Sequence, residues 1–389
     1  MSEFDSIRPF HDHEVPGVVA RVINHPDLPG AAAKFVLPGF LQDHVLGAWL
    51  TKRYLHYKAS RLHSVYDCQM FTAIFLRKLI DATINELSVS GLEHLDNAHR
   101  YLFISNHRDI VMDSTLLNYL IHAAGHDTCR SAVGDNLLTN ELAADLMRLN
   151  KSFVVQRAVS GAKATLKVLN TTSNYVRHSL EDQVSVWIAQ RQGRAKDGFD
   201  RTDPTLLKML ALAYKDADDP LNALFSTSRI VPVSISYELD PCALRKAHEL
   251  SVLAAEGQYD KSDEEDVQSI VMGVVGDKGR VHLHFGERIT GPIDAPEEAA
   301  ALIDQAIVSG MRVFPTHVHA AAELGLTEYA DIQPAVQPVP EVMQKFAAQI
   351  AACPDAEKEF LLVQYANLLR NRGDLLHANG MQVESESVT

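Results

Sequence analysis

The hydrophobic rhythm of the chain changes near residue 87. Before that point apolar residues recur at helical spacing, as in Cys68-Gln-Met-Phe-Thr-Ala-Ile-Phe-Leu-Arg-Lys-Leu-Ile80. Pro16, Pro26, Pro29 and Pro38 interrupt the earlier part, so residues 14 to about 90 read as a broken set of helices. Beyond it, short β-like runs alternate with amphipathic ones. The pattern predicts strands at 101–105, 129–133, 152–155, 184–189 and 229–237, with helices at 114–124, 141–149, 162–178 and 205–214 between them. Such alternation implies an α/β fold with a mainly parallel sheet flanked by helices. Residues 245–272 are charged and helical in pattern, 279–286 form a strand, and 296–313 a helix. Residues 338–376 read as a helical pair split near Cys353-Pro354, and 384–389 as a disordered tail. The expected organisation is a helical N-terminal region (1–90), an α/β domain (91–320) and a C-terminal helical extension (321–389). No internal repeat is visible.

Composition narrows the class. The chain has 389 residues, 46% hydrophobic and 22% charged, which fits an ordinary soluble globular protein. No apolar run approaches the ~18 residues of a membrane-spanning helix, and the first residues lack the apolar segment of a signal peptide. Cys68, Cys129, Cys242 and Cys353 are widely spaced and read as reduced thiols of a cytoplasmic protein. A net charge of −14 argues against nucleic acid as a partner. Two acid-free basic blocks stand out in this acidic chain. Residues 151–177 hold Lys151, Arg157, Lys163, Lys167 and Arg177; residues 44–66 hold Lys52, Arg53, Lys58 and Arg61 among Trp49, Tyr54, Tyr57 and Tyr66. Each is either a solvated helix face or a seat for an anionic ligand or surface. The aromatic one suits a membrane interface or an acidic carrier protein.

Ligands of open parallel sheets bind beyond the carboxyl ends of the strands. Just past the predicted strands come Asn106-His107-Arg108-Asp109, then Gln156-Arg157, then Gln190-Arg-Gln-Gly-Arg-Ala-Lys-Asp-Gly198. A histidine at such a corner can act as a general base near neutral pH. An aspartate on its far ring nitrogen would fix the tautomer. Asp109 stands where a helix should begin and is an N-cap candidate. Asp113 stands inside an apolar stretch, where a carboxylate needs a partner. Asp113 is favoured as the partner of His107, with Asp109 the alternative.

Four blocks in this order resemble the glycerolipid acyltransferases, the family of glycerol-3-phosphate and 1-acylglycerol-3-phosphate O-acyltransferases. The blocks are Asn106-His107 with Asp113; Phe153-Val-Val-Gln-Arg157; Gln192-Gly193-Arg194; and Ile230-Val-Pro232-Val-Ser-Ile-Ser-Tyr-Glu238. The resemblance spans roughly residues 87–290. It implies transfer of a fatty acyl group from acyl-CoA or acyl-carrier protein to a glycerophosphate hydroxyl in phospholipid synthesis. The enzyme would be a cytoplasmic protein peripheral to the inner face of the cell membrane, with no cofactor beyond its acyl donor and no metal. His107 and Asp113 would carry the chemistry. Asn106, Arg108, Arg157, Gln192, Gly193, Arg194 and Lys196 would bind the acceptor and its phosphate, with Arg157 and Arg194 as bidentate cations and Gly193 allowing close approach.

Two departures keep a second reading open. Five residues separate His107 from Asp113 where the family usually has four, and Gln192 stands where Glu is usual. A catalytically degenerate relative, binding a membrane or a carrier protein, is therefore the alternative. A metal-dependent hydrolase is a weaker rival, motivated by His282-x-His284, His317-x-His319 and His11-x-His13. No carboxylate or cysteine motif accompanies these pairs.

Overall fold

The structure, a computed structural model, describes residues 3–26, 28, 32, 45–138, 141–156 and 160–378. Arg157, Pro29, Pro38 and the tail 384–389 lie outside the described residues. In chain order the elements are α1 Val15–Ile23, α2 Val45–Ala59, α3 Val65–Thr83, β1 Glu86–Ser90, β2 Leu102–Ser105, α4 Met112–Ala123, β3 Arg130–Gly134, α5 Glu141–Leu149, β4 Ser152–Val155, α6 Ala162–Glu181 and β5 Val186–Ala189. They continue with α7 Pro204–Ala211, α8 Pro220–Ser228, β6 Ile230–Tyr237, α9 Ala243–Glu256, α10 Asp263–Val275, β7 Arg280–Phe285, α11 Pro296–Ser309, α12 Pro315–Glu323, α13 Pro340–Ala352 and α14 Lys358–Ala378. Pairing is parallel for β1 with β7, β2 with β5 and β6, and β3 with β4; β6 and β7 are antiparallel. The α/β class, mainly parallel with helical extensions, is as the sequence pattern predicts.

Contact density divides the chain into two compact units. Leu79–Thr128 and Val176–Thr389 make the larger one. Its strands run in the order β1-β7-β6-β2-β5. β2 and β6 are buried along their whole length, so they read in sequence as unbroken apolar runs rather than alternating ones. The register sets Ser105 of β2 level with Ala189 of β5 and Val233 of β6. The residues after β2 and β5 therefore emerge side by side, while β6 runs on for four more residues to Tyr237. Helical periodicity does not extend to residue 90, because Glu86–Ser90 pairs with Arg280–His284 as β1. Its polar, half-exposed alternation is that of an edge strand. The C-terminal helices add a second apolar cluster, in which Val342, Phe346, Leu361, Tyr365 and Leu369 pack with Leu239 and Ala243.

Met1–Lys78 and Cys129–Tyr175 make the other unit. β3 and β4 pair there in parallel, Ser131 opposite Ser152 and Gly134 opposite Val155. Val15, Val18, Val19 and Val22 line one face of α1 at helical spacing and pack with Val65, Cys68 and Leu149. Arg21 closes this layer with two hydrogen bonds to Asp145, at 2.7 and 2.8 Å. The four cysteines are buried, and none is in a disulfide. Among the described residues no helix is long and apolar enough to cross a membrane.

Candidate active site

The site grows from the carboxyl end of β2. Strand pairing stops at Ser105, and the side chain of Asn106 takes over from the ladder. Its Oδ1 accepts from the Ile235 N–H at 2.8 Å, and its Nδ2 donates to the Ile235 carbonyl at 3.0 Å. Both atoms are buried, so this clamp satisfies two backbone groups of β6 that would otherwise lack partners. With its neighbour fixed in this way, His107 leaves the strand at a set angle. Its carbonyl accepts from the Ala195 N–H at 3.0 Å, and its ring meets Trp187 edge-on with centroids 5.7 Å apart.

His107 Nδ1 lies 2.8 Å from Asp113 Oδ2. The Asp113 side chain is fully buried and that of His107 is 14% exposed. The same carboxylate oxygen accepts the Arg108 N–H at 2.6 Å and the Asp109 N–H at 3.0 Å, and Oδ1 accepts the Tyr237 hydroxyl at 3.0 Å. Four donors thus compensate the cost of burying the charge. Asp113 sits in the first turn of α4, where the helix dipole also favours an anion. A proton on Nδ1, assigned from this contact, leaves the Nε2 lone pair free. Among the described residues Nε2 has no hydrogen-bond partner. A base with its tautomer fixed by a buried carboxylate can take a proton from a hydroxyl placed at Nε2.

Residues 86–199 match the family model described as Acyltransferase. The chain carries an acyltransferase domain. The matched stretch runs from β1 to just past β5 and contains the His107–Asp113 pair; it bears out the acyltransferase resemblance and covers the first three of the four motifs, while Ile230–Glu238 lies beyond it. No curated protein sequence matches the chain. Among solved structures, the 1-acyl-sn-glycerophosphate (LPA) acyltransferase PlsC of Thermotoga maritima is similar at 15% identity, over 72% of this chain and 92% of that chain, with a TM-score of 0.37.

The acyltransferase domain uses Asp109 differently from Asp113. Asp109 Oδ1 accepts the N–H groups of Val111 and Met112 at 3.0 and 2.8 Å, the work of a helix cap. Burial pushes its carboxyl above the usual range and the Asp113 charge adds to this, while those backbone donors and the Arg194 charge act the other way. Arg108 is buried, with its guanidinium on Asp200 and its carbonyl on Lys246 Nζ at 2.9 Å. Lys246 in turn pairs with Asp240. Burial raises the Asp200 carboxyl in spite of Arg108.

The loop after β5 folds over this corner. Gln190 N–H donates to the Ser105 carbonyl at 2.7 Å. Gly193 has φ +77 and open space where a Cβ would stand, so it suits a left-handed turn near a ligand. Arg194 is half-buried, and its Nη1 is buried with no hydrogen-bond partner among the described residues. Gln192 is exposed. Lys196 pairs with Glu249. Of the residues expected to bind the acceptor, Asn106, Arg108 and Lys196 thus spend their side chains on protein groups. Gln192, Gly193 and Arg194 remain open to a ligand, and Arg157 lies outside the described residues.

Tyr237, Asp200 and Lys246 belong to this network and were not singled out in the sequence. Tyr237 closes the fourth motif, so its place at a strand end was visible; its partner, 124 residues away, was not. The His-x-His pair of β7 is committed elsewhere. His282 lies 2.9 and 3.0 Å from the hydroxyls of Ser88 and Ser90, and His284 2.8 Å from Ser90. Among the described residues no cluster of His, Cys, Asp and Glu could hold a metal ion.

Proposed function

We propose that the chain transfers a fatty acyl group from a thioester on coenzyme A or acyl-carrier protein to a hydroxyl of glycerol 3-phosphate or 1-acylglycerol 3-phosphate, in phospholipid synthesis. The single observation that supports this most is the His107–Asp113 pair at 2.8 Å with Nε2 unpartnered. In this reading Nε2 takes the acceptor hydroxyl proton as that oxygen forms a bond to the thioester carbonyl carbon. The tetrahedral intermediate collapses, the carbon–sulfur bond breaks, and the thiolate leaves with the proton from the imidazolium. Asp113 stabilises that imidazolium. No serine or cysteine nucleophile is needed, because the acceptor supplies the attacking oxygen. Arg194 holds the acceptor phosphate, and Gly193 permits its close approach.

Attachment to the surface of an anionic membrane is the second part of the proposal, and it rests on α2. Leu46, Trp49, Leu50 and Tyr57 are exposed on one face of that helix, with Arg53 over the Trp49 ring and Arg61 over the Tyr57 ring. Rings and cations presented together suit a headgroup layer. An acceptor screen tests the reaction: purified protein, each acyl carrier, each glycerophosphate, with thiol release followed and His107→Ala as the blank. Thiol release that needs both an acceptor and His107 is the expected result. If no acceptor promotes release while vesicles still bind, the chain is a binding module and the catalytic reading falls.

A further inference from the structure

We propose that Tyr237 is a positioning residue for acyl transfer, its hydroxyl holding Asp113 so that the carboxylate keeps His107 in register; this rests on the reading of His107 as the base. The two oxygens of Asp113 are served unequally. Oδ2 accepts three donors, the His107 ring and the N–H groups of Arg108 and Asp109. Tyr237 donates to Oδ1 at 3.0 Å, and among the described residues no other group does. Three of the four contacts come from residues 107–109, the turn that must carry the histidine. The fourth comes from outside that turn.

The fourth anchor is rigid. Tyr237 is the last residue of β6, buried, and paired with Val281 of β7. Its carbonyl lies 3.1 Å from His317 Nε2, so the strand end is held as well as the strand. Further back, β6 is bonded to β2, Ser105 opposite Val233, and Asn106 clamps Ile235. His107 and Tyr237 thus hang from two strands locked in one register, and Asp113 bridges them. A chain of imidazole, carboxylate and phenol results, with each link within hydrogen-bond reach.

The phenol does more than fill space. It is a neutral donor to an anion, and burial pushes its own proton loss far above the ordinary range. It therefore stabilises the ionised carboxylate without competing for the proton that His107 takes. The positive end of the O–H dipole also weakens the negative potential that Asp113 lays on the imidazole. Other charged or titratable groups face the same corner. Asp109 and Asp240 both act on the phenol, Lys246 pairs with Asp240, and Arg108 and His317 line the small cavity against the ring. A phenol-to-phenyl change leaves all of these in place.

The test is Tyr237→Phe in the full chain, assayed across pH with the acceptor that the screen identifies. The plateau kcat should fall on the order of tenfold, with little change in either KM. The acid limb of kcat/KM should move up by about half a pH unit, since the carboxylate then acts on His107 unscreened. In an Asp113→Asn background the same change should cost almost nothing, because the carboxylate it serves is gone. If Tyr237→Phe does not fold, a ring-fluorinated tyrosine at 237 keeps the shape and strengthens the donor, and the acid limb should move down. An unmoved acid limb, or an undiminished loss in the Asp113→Asn background, would reduce Tyr237 to packing. Full activity of His107→Ala would instead overturn the general-base reading, and the two failures are told apart by that variant.

Discussion

The carboxylate of Asp109 lies directly against the backbone of Gly273 on α10: a Cβ built on that glycine would overlap Asp109 Oδ2. Asp109 cannot swing aside without releasing the Val111 and Met112 N–H groups that it caps. Gly273→Ala should therefore cost about 1–3 kcal/mol, the usual range for overpacking a filled site, and disturb the turn that carries His107. Urea unfolding and turnover of the variant check this. An unchanged midpoint together with unchanged turnover would show that the carboxylate has room to move.

The two aspartates should separate cleanly by substitution. Asp113→Asn keeps the shape but favours the wrong imidazole tautomer, and we expect turnover to fall more than ~100-fold, the lower range for a positioned base. Asp109→Asn retains a side-chain oxygen for the Val111 and Met112 N–H groups and should keep turnover within a few-fold. Measuring kcat for both variants decides the matter, and a dead Asp109→Asn beside an active Asp113→Asn would reverse the roles.

Asp304 carries a pH dependence of stability. Burial lifts its carboxyl from 3.8 to about 6, against the donors of Thr202. Its Oδ1 accepts the Thr202 N–H at 2.7 Å and hydroxyl at 2.6 Å. Because the folded value is raised, this group favours the fold most below about 3.8, and that contribution is lost as pH rises through about 6. Asp304→Asn keeps the acceptor and never ionises. The melting temperature of the variant minus that of the parent should thus grow between pH 4 and pH 7. A difference that stays flat or shrinks over that window would show that the carboxyl is not lifted.

On the exposed face of α2, Trp49 is 55% and Tyr57 54% accessible. Changing Lys52, Arg53, Lys58 and Arg61 together to Gln should weaken flotation with anionic vesicles. Binding of the parent should itself fall with salt, since exposed charges are screened over ~10 Å at 0.1 M. Flotation indifferent to both salt and substitution would remove α2 from membrane contact.

The alternation of strands and helices could be read from the sequence because each buried parallel strand is a short apolar run between turn residues. α5 and β4 begin and end where the pattern puts them. Edge strand β1 was missed because its polar, half-exposed residues carry no such run. α8 and α12 were missed despite Pro220 and Pro315 at their first positions, since both are single short elements between stronger signals. In the site, the corner residues were legible but their allegiances were not. Nothing in the sequence tells that Arg108 is taken by Asp200, or Lys196 by Glu249. Such pairs join residues 92 and 53 positions apart, and only the closed fold brings them together.

Those allegiances sharpen the prediction for the acceptor. With Arg108 and Lys196 engaged, Arg194 is the described cation of the loop with a buried guanidinium nitrogen still unpartnered. We expect it to grip the acceptor phosphate. Arg194→Ala should weaken acceptor affinity by ~1.5–3 kcal/mol, roughly 10- to 150-fold, the cost of one charge-assisted contact. Arg194→Lys keeps the charge but loses the planar fork, so it should recover only part of that loss. The change should appear in the acceptor KM and leave kcat nearly intact, because the phosphate carries the same charge in ground and transition states. The donor KM should stay put. Steady-state kinetics of Arg157→Ala and Arg194→Ala, with each substrate varied in turn, measure this. If both variants raise the donor KM alone, the two arginines hold the acyl carrier's phosphates, and the acceptor need carry no charge.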